Sequence, residues 1–147
     1  MSILFKKTDE KYGCFSNFHP CTVEFNGIKY KNSEAAWQAQ KTLDETKRLE
    51  FANMTPSYAK KEGRCVKLRK DWELVKYNLM VEVLKAKFSQ NPELKEILMS
   101  TGDEFIIEDT TGWHDNIWGS CSCPRCDGIT GQNLLGKALM QVRDSFK

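Results

Sequence analysis

The stretch SEAAWQAQK, Ser33 to Lys41, decides how this chain is read. As an α-helix, at about 100° per residue, it brings Glu34, Gln38 and Lys41 to one side, because positions i, i+4 and i+7 fall in line. Ala35, Ala36 and Ala39 take the other side, where a neighbour can approach closely. A surface helix ordinarily backs its polar side with Leu or Val. Alanine backing predicts a helix set deep in the protein, whose polar groups must face one another, water or a ligand. The plain alternative for Glu and Lys at this spacing is a solvated face with weak ion pairing. Trp37 falls near the polar group, where an indole either stacks on a flat ring or anchors core.

Outward from this helix, Asn32 or Ser33 is the expected N-cap. Before it, Thr22–Phe25 and Ile28–Tyr30 flank Asn26-Gly27, a two-residue hairpin signal. After it, Asp44 to Phe51 predicts a second helix, and Thr55-Pro56 opens a third that Gly63 ends. Trp72, Val75, Leu79 and Val83 recur at helical spacing, with Met80, Leu84 and Phe88 widening the stripe, so residues 71–88 read as a long helix facing core. Asn91-Pro92 starts another helix that stops near Gly102, and Phe105–Ile107 reads as a strand. The stretch from Thr110 to Gly131 is rich in Gly, Cys, Asn and Asp; so long an irregular run is functional or disordered, and Trp113 and Trp118 favour function. The last helix, from Gln132 or Asn133, carries Leu134, Leu135, Ala138, Leu139, Val142 and Phe146. Its amino end follows Gly128 and Gly131 and would suit an anion, a plain helix entry being the alternative.

A chain of 147 residues is expected to form a single domain, residues 1–147, that needs no metal or disulfide to bury its core. The net charge of +2 is too small to mark the whole protein as a nucleic-acid binder. Charge is nevertheless concentrated in Lys60, Lys61, Arg64, Lys67, Arg69 and Lys70, opposed only by Glu62, which is either a solvated surface or a cradle for phosphate. MSILFKKTDEK has neither a signal-peptide core nor a membrane span, so a cytoplasmic protein with no membrane association is expected. Its cysteines are then reduced. Cys121, Cys123 and Cys126, with His114 as a fourth ligand, invite a zinc reading. Only one C-x2-C hook is present where zinc sites pair two, so small residues in a tight loop shaped by Pro124 are preferred.

FSNFHP at Phe15–Pro20, SEAAWQAQK, Gly63-Arg64, Asp71-Trp72 and AKFSQNPEL at Ala86–Leu94 follow one another in a specific order. TGD at Thr101–Asp103, DNIWG at Asp115–Gly119 and GQNLLGKALMQVR at Gly131–Arg143 continue it. In this order the blocks resemble the NADAR or YbiA-like family, over nearly the whole chain. The resemblance implies a compact α+β fold, mostly helical with a small N-terminal β portion, that hydrolyses N-glycosidic bonds and requires no cofactor. One branch of the family cleaves early riboflavin-pathway intermediates, ribosylaminopyrimidine phosphates. A second removes ADP-ribose from modified guanine, so that nucleic acid becomes a partner only if that is the substrate. A non-catalytic module that binds ADP-ribose or a nucleotide is the reading from a different class.

Breaking a C–N bond at an anomeric carbon builds positive charge on the sugar, which a nearby carboxylate stabilises. Glu34 matches the family's helix glutamate and is the first choice. Lys41 matches its lysine, and could orient Glu34, protonate the leaving nitrogen or add to an opened sugar. Asp115 is the rival carboxylate, or a ribose-binding or turn aspartate. The same resemblance carries Ser16, Asn17, Phe18, Trp37, Gln38, Arg64, Trp72, Trp118, Gly119 and Asn133 over as substrate contacts. Arg64 suits phosphate because its guanidinium is a planar fork. Two positions depart from the family pattern: Ala35 where many relatives carry His, and Ser120 where they carry an acidic residue.

Overall fold

The structure is a computed structural model that describes residues 2–147. The chain forms two compact units, one holding the chain up to Ser16 together with Glu96–Lys147, the other Asn17–Lys95. The fold class is α+β, as expected, with helices dominant and strands confined to two small sheets.

Strand β1 (Ser2–Phe5) belongs to the other unit; in the contiguous unit β2 (Pro20–Phe25) and β3 (Ile28–Asn32) form an antiparallel hairpin. Asn26 and Gly27 turn it with φ of 50° and 83°, the left-handed pair that Asn-Gly supplies at small cost. Val23, Phe25 and Tyr30 are buried, one side of the pleat, while Glu24 and Lys29 are exposed. Gln90 extends this edge: its side-chain amide donates to the Glu24 carbonyl at 2.8 Å and accepts from the Glu24 N–H at 2.7 Å, as a further strand would.

Helix α1 (Ser33–Ala39) starts directly from β3, with Asn32 as N-cap accepting from the Ala35 N–H at 2.7 Å. Every residue of α1 is buried, its alanines fully, and it packs on β2, β3 and the three helices that follow it. The deep placement predicted from the alanine backing is therefore met. Asp44 caps α2 (Glu45–Glu50) and Thr55 caps α3 (Pro56–Glu62), each through its side-chain oxygen. α4 (Trp72–Gln90) lies along β2 and buries Trp72, Met80, Val83, Leu84 and Phe88. Val75 and Leu79 are only half-buried, and Lys87 is fully buried in the same helix.

The chain leaves this unit within α5 (Pro92–Ser100). In the other unit β1 (Ser2–Phe5) runs parallel to β4 (Phe105–Glu108), with Ser2 opposite Phe105 and Phe5 opposite Glu108. Phe5 meets Phe15 edge to face at 5.7 Å. α6 (Leu134–Ser145) packs on β4 and buries Leu135, Ala138, Leu139 and Val142. Arg143, also buried, donates to Thr101 Oγ1 at 2.9 Å and to the Glu104 carbonyl at 2.8 Å. Between β4 and α6 the chain is irregular apart from a 3-10 turn at Pro124–Cys126. Among the described residues no helix is long and apolar enough to cross a membrane.

Candidate functional site

The site is built on α1. Asn17 fixes its first turn: the Asn17 carbonyl accepts from the Glu34 N–H at 3.1 Å, and Asn17 Oδ1 accepts from Ser33 Oγ at 2.7 Å. Asn17 Nδ2 points at Met80 Sδ, 3.5 Å away. The polar groups of Asn17 are thus used in holding the turn that carries Glu34. One turn on, Gln38 Nε2 donates to Glu34 Oε2 at 2.8 Å; Glu34 is 8% exposed and Gln38 4%. A buried carboxylate held by a buried amide keeps a fixed direction, and an unpaired charge at that depth would be costly.

Gln38 Oε1 is buried and meets no hydrogen-bond donor. It lies against Gly63, where an added Cβ would stand 1.9 Å from it, so the family block at Gly63-Arg64 needs its glycine for this close approach. Sequence reading marked the block without finding that role, because no local signal links residue 63 to residue 38.

Lys41 lies past the end of α1. Its N–H donates to Gln38 O at 3.1 Å while that of Gln40 donates to Trp37 O at 3.0 Å, so the last turn tightens to i→i+3 bonding. The Lys41 ammonium nonetheless stays within electrostatic reach of Glu34. It sits 5.6 Å from the Trp37 ring centroid and 5.8 Å from that of Trp72. The two indoles meet at 5.1 Å with planes tilted by 51°, and Trp37 Nε1 donates to the Lys76 carbonyl at 3.1 Å. Burial holds the Lys41 amine below the usual lysine range; Glu34 pulls it back up and the Arg64 cation presses it down again. Arg64 itself is exposed.

The basic run that sequence singled out borders a cleft of about 810 Å³ lined by Thr42, Lys47, Cys65, Lys67, Arg69 and Lys70 among others. Arg69 is not available there as a free cation. Its guanidinium grips Asp71 through Nε at 2.6 Å and Nη2 at 3.1 Å, and its backbone N–H donates to the Lys41 carbonyl. Phe18 is half-buried in this unit. Lys87, absent from the apolar stripe read on residues 71–88, is fully buried, with its Nζ 5.4 Å from the Phe88 ring centroid.

The remaining expected site residues lie in the other unit. Asp115 Oδ1 accepts from the N–H groups of Ile117 and Trp118, both at 2.9 Å, which is the turn role weighed for it. Gly119 presses on Glu108 and Thr110: a Cβ there would stand 2.7 Å from the Glu108 carbonyl oxygen. Asn133 holds a left-handed conformation, φ 53°, with Nδ2 donating to Ile106 O at 2.8 Å and Oδ1 accepting from Glu108 N–H at 3.1 Å. Ser16 is buried and Trp118 half-buried. The anion expected at the start of α6 meets a filled position, since the Leu134 and Leu135 N–H groups already donate to the carbonyls of Ile117 and Trp118.

A model of the NADAR domain matches residues 4–147. An N-glycosidase of Nostoc punctiforme is 37% identical over 153 aligned residues, covering 100% of this chain and 94% of that protein. The N-glycosidase YbiA of Escherichia coli is also 37% identical, over 98% of this chain and 88% of its own length. A riboflavin biosynthesis protein of Vibrio vulnificus is 31% identical over 99% of this chain, which corresponds to 38% of that longer protein. The solution structure of Escherichia coli YbiA superposes with a TM-score of 0.82 at 36% identity, covering 99% of this chain and 86% of that one.

Proposed function

The chain belongs to the NADAR domain family, and from that membership we propose that it is an N-glycosidase acting on a phosphorylated ribosyl compound. The observation that carries the reading is the Glu34 carboxylate, buried on α1 and aimed by Gln38 at 2.8 Å, with the Lys41 amine beside it. Because Gln38 already orients Glu34, Lys41 is left for chemistry. A lysine whose proton is held loosely by burial and a cationic neighbour is suited to act as a nucleophile.

In this reading the sugar ring first opens: the bond from the anomeric carbon to the ring oxygen breaks, that oxygen takes the proton of the glycosidic N–H, and a C=N bond forms. The Lys41 Nζ lone pair then adds to that carbon as a first proton moves from Nζ to the glycosidic nitrogen. The C–N bond to the base-like ring breaks, and the second proton lost by Nζ passes through Glu34 to the departing nitrogen. Water then adds to the carbon of the resulting lysine imine, Glu34 takes its proton, and the C–Nζ bond breaks to return the amine and release the sugar. One water is consumed and one N-glycosidic bond is cleaved. Trp37 supplies an aromatic wall, and Arg64 with the neighbouring lysines supplies positive charge for phosphate.

The names of the Nostoc and Escherichia relatives support the glycosidase activity, and that of the Vibrio relative supports ribosylaminopyrimidine phosphates as the substrate. Ser120, standing where the family pattern is acidic, weakens the case for that substrate, and ADP-ribosylated guanine in nucleic acid is the second reading. Purified protein incubated separately with each substrate distinguishes them by release of ribose 5-phosphate or of ADP-ribose. Binding of ADP-ribose with no sugar released from either would leave only a recognition module.

A further inference from the structure

We propose that His114, Cys121, Cys123 and Cys126 bind a structural zinc ion that holds the irregular stretch between β4 and α6 in one shape. The ligand atoms of these four residues all lie within 4.8 Å of one another. His114 Nδ1 is 3.5 Å from Cys121 Sγ, 3.2 Å from Cys123 Sγ and 3.5 Å from Cys126 Sγ. Hydrogen bonding does not account for this convergence. A ring nitrogen offers one lone pair or one N–H and satisfies one thiol, not three. A tetrahedral metal does account for it: zinc bonds of about 2.3 Å to sulfur and about 2.0 Å to nitrogen set adjacent ligand atoms about 3.5 Å apart.

The second half of the site is not a second C-x2-C hook, which is why the spacing alone argued against zinc. Cys123 and Cys126 bracket Pro124 in a 3-10 turn, with the Cys126 N–H donating to the Cys123 carbonyl at 3.0 Å. Cys121 and His114 are brought to it by the closing of the loop between them. Asp109 bridges Ser120, and the Thr110 N–H donates to the Ser120 carbonyl at 3.1 Å. His114 turns back from that bridge in a left-handed conformation, φ 58°, its N–H donating to the Thr110 carbonyl at 3.1 Å. A non-glycine residue is held in that region only where its surroundings over-determine it. Outer contacts brace the thiols in turn: Asn116 Oδ1 accepts from the Cys121 N–H and Thr111 Oγ1 from the Ser122 N–H, both at 2.9 Å.

Four protein ligands close the coordination sphere, so the ion would be structural and take no part in cleavage. Cys121 and Cys126 are buried, and the ion would tie together a stretch whose one helical element among the described residues is a short 3-10 turn. The inference is independent of the glycosidase reading.

The test uses the full chain, expressed in zinc-supplemented medium and purified under reducing conditions without chelator. Metal analysis by inductively coupled plasma mass spectrometry is expected to return about one zinc per chain. Reconstitution of the stripped protein with cobalt(II) should give a thiolate-to-cobalt charge-transfer band and the intense visible bands of a tetrahedral site. Cys121→Ser with Cys126→Ser should lose the zinc, Cys14→Ser with Cys65→Ser should keep it, and His114→Cys should keep it with an added thiolate in the cobalt spectrum. Substoichiometric zinc in the wild-type protein together with no tetrahedral cobalt spectrum would overturn the proposal. So would full zinc content in the folded Cys121→Ser, Cys126→Ser variant. The wild-type measurements decide the matter even if that variant fails to fold.

Discussion

Gln38 ties Glu34 to Gly63: its Nε2 donates to Glu34 Oε2 at 2.8 Å while its Oε1 fills the space where a side chain at residue 63 would begin. The direction of the carboxylate therefore depends on the room that Gly63 leaves for the Gln38 amide. Gly63→Ala is expected to displace the Gln38 amide and lower kcat by about tenfold, equivalent to about 1.4 kcal/mol of transition-state stabilisation. The backbone there has φ −61°, so alanine fits the main chain, but the Cβ crowds a buried amide and the melting temperature should fall by an amount corresponding to about 1–3 kcal/mol. Steady-state kinetics and thermal denaturation on the same preparation check both halves.

Glu34→Gln keeps the shape of the side chain and a hydrogen bond to Gln38 while removing the proton acceptor. Loss of a positioned acid–base group is worth about 10²- to 10⁴-fold in rate, and a loss of that size is expected with folding intact by circular dichroism. Turnover equal to wild type would remove Glu34 from the mechanism.

Lys41 has to be neutral to add to the sugar, so activity should rise with pH and level off below the range in which an ordinary lysine deprotonates. Arg64 is one of the groups pressing that amine down. Removing a neighbouring positive charge stabilises the ammonium, so Arg64→Gln should move the rising limb of the pH–rate profile to higher pH. Borohydride reduction during turnover should trap a sugar on Lys41, visible as a mass increase on its peptide. No adduct, with activity falling rather than rising as the amine deprotonates, would make Lys41 a proton donor instead.

Asn133 offers a contrast, since both ends of its amide are engaged by β4 and its backbone is left-handed. Asn133→Ala removes two hydrogen bonds and adds conformational cost, and is expected to destabilise the protein by about 2–4 kcal/mol. Asn133→Gly should recover part of that loss by relieving the backbone. Urea denaturation of the two variants measures the difference. A KM change in the folded Asn133→Gly protein would return the residue to the list of substrate contacts.

Elements governed by neighbours in the chain were legible before the structure. Asn26-Gly27, Asp44 and Thr55-Pro56 mark their turn and helix starts because the deciding atoms lie within a few residues. The burial of α1 was legible too, since Ala35, Ala36 and Ala39 only make sense against a close neighbour. Contacts that join distant positions were not. Gly63 against Gln38 and the pairing of β1 with β4 leave no periodic trace, while His114 beside Cys121, Cys123 and Cys126 was legible as a candidate set that the single C-x2-C hook argued against. Lys87 was hidden for a different reason: the hydrophobic period allows any residue whose cost of burial is met elsewhere, and Lys87 is engaged with groups around it. Lys41 lay between these cases, because the tightening of one turn moved it off the ideal helix while leaving it electrostatically coupled to Glu34.

The parallel pairing of Ser2–Phe5 with Phe105–Glu108 sets an order of assembly on the ribosome. Asn17–Lys95 is contiguous and can fold as soon as it has emerged. Ser2–Phe5 has no strand partner until residues 105–108 follow about a hundred residues later, a closure whose length slows folding. Until then that strand's edge is open to proteases and to mispairing, and a translational pause after residue 95 would lengthen the exposure.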